Sequence, residues 1–529
     1  MRIQLYDTTL RDGSQGEGIN LSVEDKLKVT RRLDQFGIDV IEGGWPGSNP
    51  KDAEYFSIAR HLPLQHARLA AFGSTRRAGM QAAEDPNLLA LVAAGAPIAA
   101  IVGKSSSFQV QAALRTRLEE NLAMIADSVA FLTQQGLEVY FDAEHFFDGF
   151  RLDKEYSLAC LEAAVRAGVK TLVLCDTNGG MLPHEVFEIT RCVVEKFGVP
   201  VGIHTHNDSG VGVAAALMAV QAGAAQVQGT INGFGERAGN ADLIQLIANL
   251  QMKMGYNCVP DIGDLTQLSR YVNEVANANP DNHQPFVGDS VFAHKAGLHV
   301  SALARHSSTY EHIDPATVGN TRKVLISELA GGASIIYKAQ EYDIKLEKDS
   351  PQLSEVLQRV KELGSKGYTF EGAEGSFELI VKKAVGQYRP FFELIGFRLI
   401  IEKRHPDEEP IAEATVKIRI GGKVVHTVSE GNGPVNALDR ALRLALEQHY
   451  PAINNILLTD YKVRVLNERA GTQACVRVLI ESASGGRSWS TVGVSTNIIE
   501  ASWRALVDSI EYGLMICAVE PRTEPALAN

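Results

Sequence analysis

Short β-branched and aliphatic runs alternate with longer stretches of helical periodicity from the first residues to about Gly255. Eight of the short runs read as strands: Ile3–Thr8, Val40–Gly43, Ala67–Phe72, Ala99–Val102, Glu138–Ala143, Thr171–Cys175, Val201–His206 and Gln226–Ile231. Val23–Phe36, Thr116–Gln135, Tyr156–Ala167 and Pro183–Phe197 are among the helical stretches between them. Strand and helix repeated eight times at this spacing predict an α/β protein built on a closed parallel (β/α)8, or TIM, barrel. A doubly wound open sheet shares the alternation and is the second choice. Past Gly255 the chain reads as mostly helical up to Tyr388, with polar breaks near Asn277–Pro285. Gly364–Ser376 is glycine-rich and polar and reads as a linker or flexible loop.

Beyond Tyr388 the text repeats itself. Gly421-Gly422-Lys423 recurs as Gly485-Gly486-Arg487, Thr427-Val428 as Thr491-Val492, and Ala441-Leu442 as Ala505-Leu506. Each copy reads as strands followed by one helix, so the two predict a pseudo-symmetric α+β domain. The expected organisation is a catalytic barrel over residues 1–270, helical linker subdomains over 271–388 and the repeat domain over 389–529. No catalytic cluster falls in the repeat, which points to binding or assembly there.

Polar residues collect where such a barrel places its chemistry, at the carboxyl ends of strands. Arg11 and Asp12 follow the first strand, Glu42 ends the second, and Lys104 and Ser105 follow the fourth. Asp142 and Glu144 end the fifth, Asp176, Thr177 and Asn178 the sixth, and His204 and His206 the seventh; Glu236, Arg237 and Asn240 follow the eighth. Residues i and i+2 of a strand point the same way, so His204 and His206 aim two imidazoles at one spot. Asp12 from a distant strand adds a carboxylate. This set suits a divalent metal that keeps positions open for substrate. Two strand-end histidines bonded only to neighbours are the plainer alternative, and Asp12, Asn240 and the barrel placement outweigh it. With no thiolates nearby, magnesium or manganese is favoured, with zinc as the remaining choice.

Other signals are weaker alone. Arg11 is either a surface ion-pair partner or a guanidinium poised to stabilise an enolate oxygen. Glu144 shares a strand face with Asp142, and such a pair either pushes one pKa up for acid–base work or simply holds basic residues. Thr177 either bonds a substrate carboxylate or caps a helix. Gly210-Val211-Gly212-Val213-Ala214-Ala215 imitates a dinucleotide fingerprint but directly follows the histidine pair, and reads as a tight turn into a helix. The loop Gly233–Ala241 has glycines that would let a ligand approach the backbone. His299 and Tyr310 lie outside the barrel run and, by themselves, read as structural.

Composition narrows the class. Of 529 residues, 45% are hydrophobic and 22% charged, with a net charge of -12. Such a chain is expected to be globular, to span no membrane and to offer no nucleic-acid surface. The six cysteines are scattered without a C-x-x-C pair, and no signal-peptide pattern opens the chain, so a reducing cytoplasm is expected.

Three strings together carry a resemblance: Asp7-Thr8-Thr9-Leu10-Arg11-Asp12-Gly13, His204-Thr205-His206-Asn207-Asp208, and Gly235-Glu236-Arg237-Ala238-Gly239-Asn240-Ala241. The chain resembles the metal-dependent acyl-CoA condensing enzymes, a family of 2-isopropylmalate, homocitrate and citramalate synthases related to hydroxymethylglutaryl-CoA lyases. Ile41–Asp52, Val102–Ser105, Gly431–Leu438 and Asn497–Trp503 are most similar to the branch whose acceptor is pyruvate. The resemblance implies acetyl-CoA as co-substrate and a metal held by Asp12, His204 and His206 with Asn240 nearby. It implies that Arg11 supports the keto oxygen, Thr177 binds the carboxylate, and Glu144 with His299 and Tyr310 forms the acid–base group. It further implies a homodimer and a C-terminal regulatory domain that binds isoleucine or leucine. The rivals are a sister synthase with another 2-oxo acid, a lyase on a similar barrel, and a non-catalytic amino-acid sensor. The C-terminal repeat argues against the lyase, and the intact polar set against the sensor.

Overall fold

The computed structural model describes residues 2–295, 297–327 and 330–517. Its first strands are β1 Gln4–Asp7, β2 Val40–Gly44, β3 Arg68–Ser74, β4 Ile98–Lys104, β5 Glu138–Glu144, β6 Thr171–Asp176, β7 Val201–Thr205 and β8 Gln226–Gly229. They pair in sequence order and close, β1 lying parallel to both β2 and β8. All eight fall on the runs expected from the sequence. β3 and β4 run two residues further, which carries Ser74 and Lys104 to the rim.

Alternation along the strands sorts the core into two layers. Ile3, Leu5, Ile41, Leu69, Ala99, Phe141, Leu172, Ile203 and Val227 pack in one large cluster with apolar residues of the surrounding helices. Tyr6, Val40, Ala70, Phe72, Ile98, Ala100 and Tyr140 form a second, separate cluster inside the barrel. Helix ends follow local chemistry. Val23–Phe36 starts with a Ser22–Asp25 capping box and stops at Gly37, whose φ of 100° suits glycine. Pro86–Ala94 starts with Asp85 accepting the backbone N–H groups of Asn87 and Leu88, with Pro86 in the first turn.

The chain forms two compact units: residues up to Phe292 with Ile313–Thr321, and Ala293–His312 with the chain from Arg322 onward. Residues 271–292, expected with the helical segment, belong to the barrel unit. Among the described residues no helix is long and apolar enough to cross a membrane.

In the second unit, the short strands β9 Ala293–His294 and β10 Lys323–Val324 pair in parallel, and the helices Gly332–Glu341, Pro351–Ser365 and Glu374–Ala384 follow. The repeat then builds two antiparallel three-stranded sheets. The first is β11 Glu393–Glu402, β12 Ile411–Ile420 and β13 Lys423–Gly431, followed by the helix Pro434–Leu446. The second is β14 Leu457–Val465, β15 Val476–Ser484 and β16 Arg487–Ser495, followed by the helix Ile498–Ile516. Gly421-Gly422 and Gly485-Gly486 turn the two hairpins with positive φ at every position. Thr427 Oγ donates to the Ala441 carbonyl at 2.7 Å, and Thr491 Oγ repeats the bond to Ala505 at 2.8 Å. One apolar cluster unites both helices with both sheets.

The linker expected at Gly364–Ser376 is instead packed. Phe370 and Ser376 are buried, and a Cβ at Gly375 would sit 3.1 Å from the Ser490 carbonyl. Ser376 Oγ donates to Asp508 and accepts the Val492 N–H. Small residues here permit close approach to β16 rather than flexibility.

Candidate active site

The carboxyl ends of the barrel strands enclose a cavity of about 410 Å³. Arg11, Asp12, Glu144, Thr177, His204 and His206 all line it, as do Trp45, Phe72, Val102, Lys104 and Asp142. Asp12, His204 and His206 each present a ligand atom within 4.8 Å of the others, and all three are buried. His204 Nε2 lies 3.4 Å from Asp12 Oδ2 and 3.4 Å from His206 Nε2. Gln228, beside His204 in the β7–β8 register, faces its Nδ1 at 3.0 Å. Nδ1–H then donates to the Gln228 amide oxygen, which leaves Nε2 as the ring nitrogen that faces the cluster.

Two of the three donors, Asp12 and His206, have the protonation behaviour a cation needs. Burial works to raise the Asp12 pKa, but the Arg11 guanidinium and the His204 hydrogen bond outweigh it and hold the carboxyl well below the usual range. Burial and the neighbouring His204 push His206 down to about 4, so its ring is neutral. Burial opposes the charge on His204, yet the Asp12 contact raises its pKa overall. His206 Nδ1 and Asn240 Oδ1 are buried without a hydrogen-bond partner. A carboxylate, two imidazoles and an unpaired amide oxygen nearby fit an oxygen- and nitrogen-ligated divalent metal.

Arg11 is not at the surface. Its Nε donates to Glu42 at 2.6 Å, its Nη1 lies 3.3 Å from Asp12 Oδ2, and its guanidinium carbon sits 3.8 Å from the Phe72 ring centroid. Burial opposes its charge, but Glu42 and Asp12 raise its pKa overall. Glu42 is fully buried and also accepts from Tyr6 at 2.6 Å and Thr8 at 2.5 Å. The carboxylate that works against Asp142 is this Glu42 rather than Glu144. Burial first and Glu42 second push Asp142 up to about 7. Glu144 instead pairs with Lys104 Nζ at 2.5 Å. Thr177 Oγ accepts the His145 backbone N–H at 2.8 Å.

Two groups of expected residues are not among those lining this cavity. Asn240 lines the adjoining cavity, its amide nitrogen donating to the Phe234 carbonyl at 3.0 Å. The loop glycines serve that fold: at Gly235, with φ of 156°, a Cβ would lie 2.4 Å from Asn240 Nδ2. His299 and Tyr310 belong to the second unit, where their rings stack with centroids 4.0 Å apart. Sequence reading gave no role to Gln228, Trp45 or Phe72. Gln226 and Gln228, polar on an otherwise apolar strand, were the available signal for the first.

Eight parallel strands that gather a carboxylate, two imidazoles and a guanidinium at their carboxyl ends define a barrel enzyme with a metal-type donor set. Residues 2–272 match the HMGL-like family, residues 286–368 the homocitrate synthase post-HMGL domain-like family, and residues 371–514 the LeuA allosteric (dimerisation) domain. The chain is 52% identical to a Geobacter sulfurreducens (R)-citramalate synthase, covering 97% of each chain. It is 51% identical to the Aquifex aeolicus (R)-citramalate synthase, covering 97% of this chain and 98% of that one. A Methanopyrus kandleri probable 2-isopropylmalate synthase is more distant, 32% identical over 96% of this chain and 98% of its own. The chain is an enzyme of the acyl-transferring HMGL-like class and belongs to the (R)-citramalate synthase family.

Proposed function

We propose that this chain condenses acetyl-CoA with pyruvate and hydrolyses the thioester, releasing (R)-citramalate and CoA. The buried Asp12–His204–His206 cluster, set beside Arg11 in a chain half identical to named synthases, is the observation that carries the reading. Asp12, His204 and His206 would hold magnesium or manganese, with zinc as the alternative, and Asn240 stands nearby on its loop. Such an ion supplies Lewis-acid polarisation of the keto group when bound. Arg11, fixed by Glu42, faces the keto oxygen and stabilises the negative charge that grows there. Thr177 donates its hydroxyl to the pyruvate carboxylate. Glu144 takes a methyl proton from acetyl-CoA and returns one to the new alkoxide, and His299 and Tyr310 are the second unit's candidates for acid–base work. The acetyl carbon bonds to the keto carbon, and water then cleaves the thioester, which makes the sequence irreversible.

The dimerisation-type domain joins two copies into a homodimer. Isoleucine or leucine binds that domain near Gly431–Asn436 and Ser495–Ile499 as a feedback effector. The setting is cytoplasmic isoleucine biosynthesis. A 2-isopropylmalate synthase is the second reading, favoured by the relative from Methanopyrus kandleri. Thiol release is assayed with acetyl-CoA, magnesium or manganese, and one 2-oxo acid at a time. Pyruvate supports the fastest release and EDTA abolishes it. Preference for 2-oxoisovalerate moves the assignment to the second reading, and inertness with every acid overturns both.

A further inference from the structure

Trp45 leaves the end of β2 at a point the backbone cannot easily shift. Its N–H donates to Asp52 at 2.9 Å, and Asp52 is itself held by the buried Lys26 at 2.5 Å. The indole Nε1–H donates to Asn87 Oδ1 at 2.7 Å, and Asn87 Nδ2 donates to the Ser74 carbonyl at 2.7 Å. Both ends of the Asn87 amide are thus spent on tying the indole to the end of β3. Glycines make the room: a Cβ at Gly73 would lie 3.0 Å from Asn87 Oδ1. The indole in turn meets the Phe72 ring edge-on, with centroids 5.3 Å apart and planes at 82°.

These rings matter because of what else lines the cavity. On the reading proposed above, Arg11, Thr177 and the ion that Asp12, His204 and His206 would hold take the oxygens of a 2-oxo acid. The acid's remaining substituent is alkyl and needs an apolar surface. Most of the remaining lining is polar or charged, and the apolar exceptions are the small Cys175 and the larger corner formed by Trp45, Phe72 and Val102. We infer that Trp45, held by Asn87, is the wall that limits the acceptor's alkyl group to a methyl. Asn87 is a positioning residue for acceptor selectivity and acts through the indole.

The inference rests on the proposed acceptor chemistry, and two separate readouts keep the two apart. The wild-type profile over pyruvate, 2-oxobutanoate and 2-oxoisovalerate decides the acceptor. The change in the pyruvate to 2-oxobutanoate ratio of kcat/KM, on passing to Asn87→Ala and Trp45→Phe, decides the wall. Each variant lowers that ratio by roughly tenfold, the discrimination one methylene allows, with acetyl-CoA KM unchanged. The double variant falls no further than either single one. Binding is read without turnover from tryptophan fluorescence, as magnesium and each acid are added to protein lacking acetyl-CoA. Pyruvate quenches the wild type, the quench disappears in Trp45→Phe, and Asn87→Ala needs more pyruvate but no more 2-oxobutanoate. Trp45→Phe retains a ring in the gap and supplies the folded comparison should Asn87→Ala unfold. An unchanged ratio in folded variants, or an equal loss with every acceptor, overturns the inference.

Discussion

At the barrel rim, Asp12, Glu42, Asp142 and His204 are each 5% exposed or less, and their hydrogen bonds and ion pairs run from one strand to another. In the C-terminal repeat the same depth is filled by Ala437, Leu438, Ala441 and Leu442 and their counterparts Ala501, Ala505 and Leu506. Burying charge costs folding free energy even when the charges are paired, whereas burying methyl groups contributes it. The rim therefore keeps groups that stability alone would replace, and the repeat keeps groups that catalysis does not need. Within the repeat the contrast recurs in miniature. Val428 and Val492 occupy equivalent strand positions, yet the first is 52% exposed and the second 1%. Val492 and Val494 pack into the cluster that contains the helices Pro351–Ser365 and Glu374–Ala384, while the matching face of the first sheet is open.

The sharpest break of the comparison is His204→Ala. Activity falls on the order of a thousandfold or more, because the donor cluster loses a ligand. Thermal stability changes far less, since Arg11 still pairs with Asp12 once the imidazole is gone. Steady-state kinetics and a melting curve on the same sample check both halves. A collapse in stability would place the rim on the same footing as the repeat.

Next in size is the valine pair. Val492→Asp places a carboxylate in a sealed apolar cluster and costs about 4 kcal/mol or more, enough to unfold the second unit. Val428→Asp leaves the melting curve within about 0.5 kcal/mol of wild type, because its carboxylate stays in water. Melting of both variants followed by circular dichroism separates these outcomes. Equal melting of both variants would erase the distinction between covered and open sheets.

The smallest effect is a pH dependence. Glu511 is buried, and that burial, against the partial offset of Lys383, pushes its pKa from 4.5 up to about 7. The folded state keeps the proton that the unfolded state has released. Its contribution therefore leaves stability highest below pH 4.5, lowers it as pH rises to about 7, and is flat above that. The full span is about 3 kcal/mol. Glu511→Gln removes this slope from the second unit's denaturation profile, and a slope that persists assigns it to other groups.

The eight strands were legible because each is a short apolar run closed by polar residues, and the repeat because Gly421-Gly422 and Thr427 recur in step with Gly485-Gly486 and Thr491. The cluster of Asp12 with His204 and His206 was legible because i and i+2 share a strand face. The Asp142 environment was not, because its opposing carboxylate comes from β2, and only barrel closure brings Glu42 across from Glu144's apparent place. Trp45 and Phe72 escaped notice since aromatic residues at strand ends read as ordinary core. Gly364–Ser376 misled because small polar residues serve tight packing as readily as a linker.

On the proposed function, the rim cluster makes this barrel a metal-dependent condensing site for pyruvate. The most direct test strips the protein of metal, reloads half with magnesium or manganese, and supplies both portions with pyruvate and acetyl-CoA. Chiral chromatography and a thiol assay then follow the products. The expected products are (R)-citramalate and free CoA in equal amounts from the reloaded portion and neither from the stripped one. Equal citramalate from both portions, or CoA released without citramalate, contradicts the proposed function.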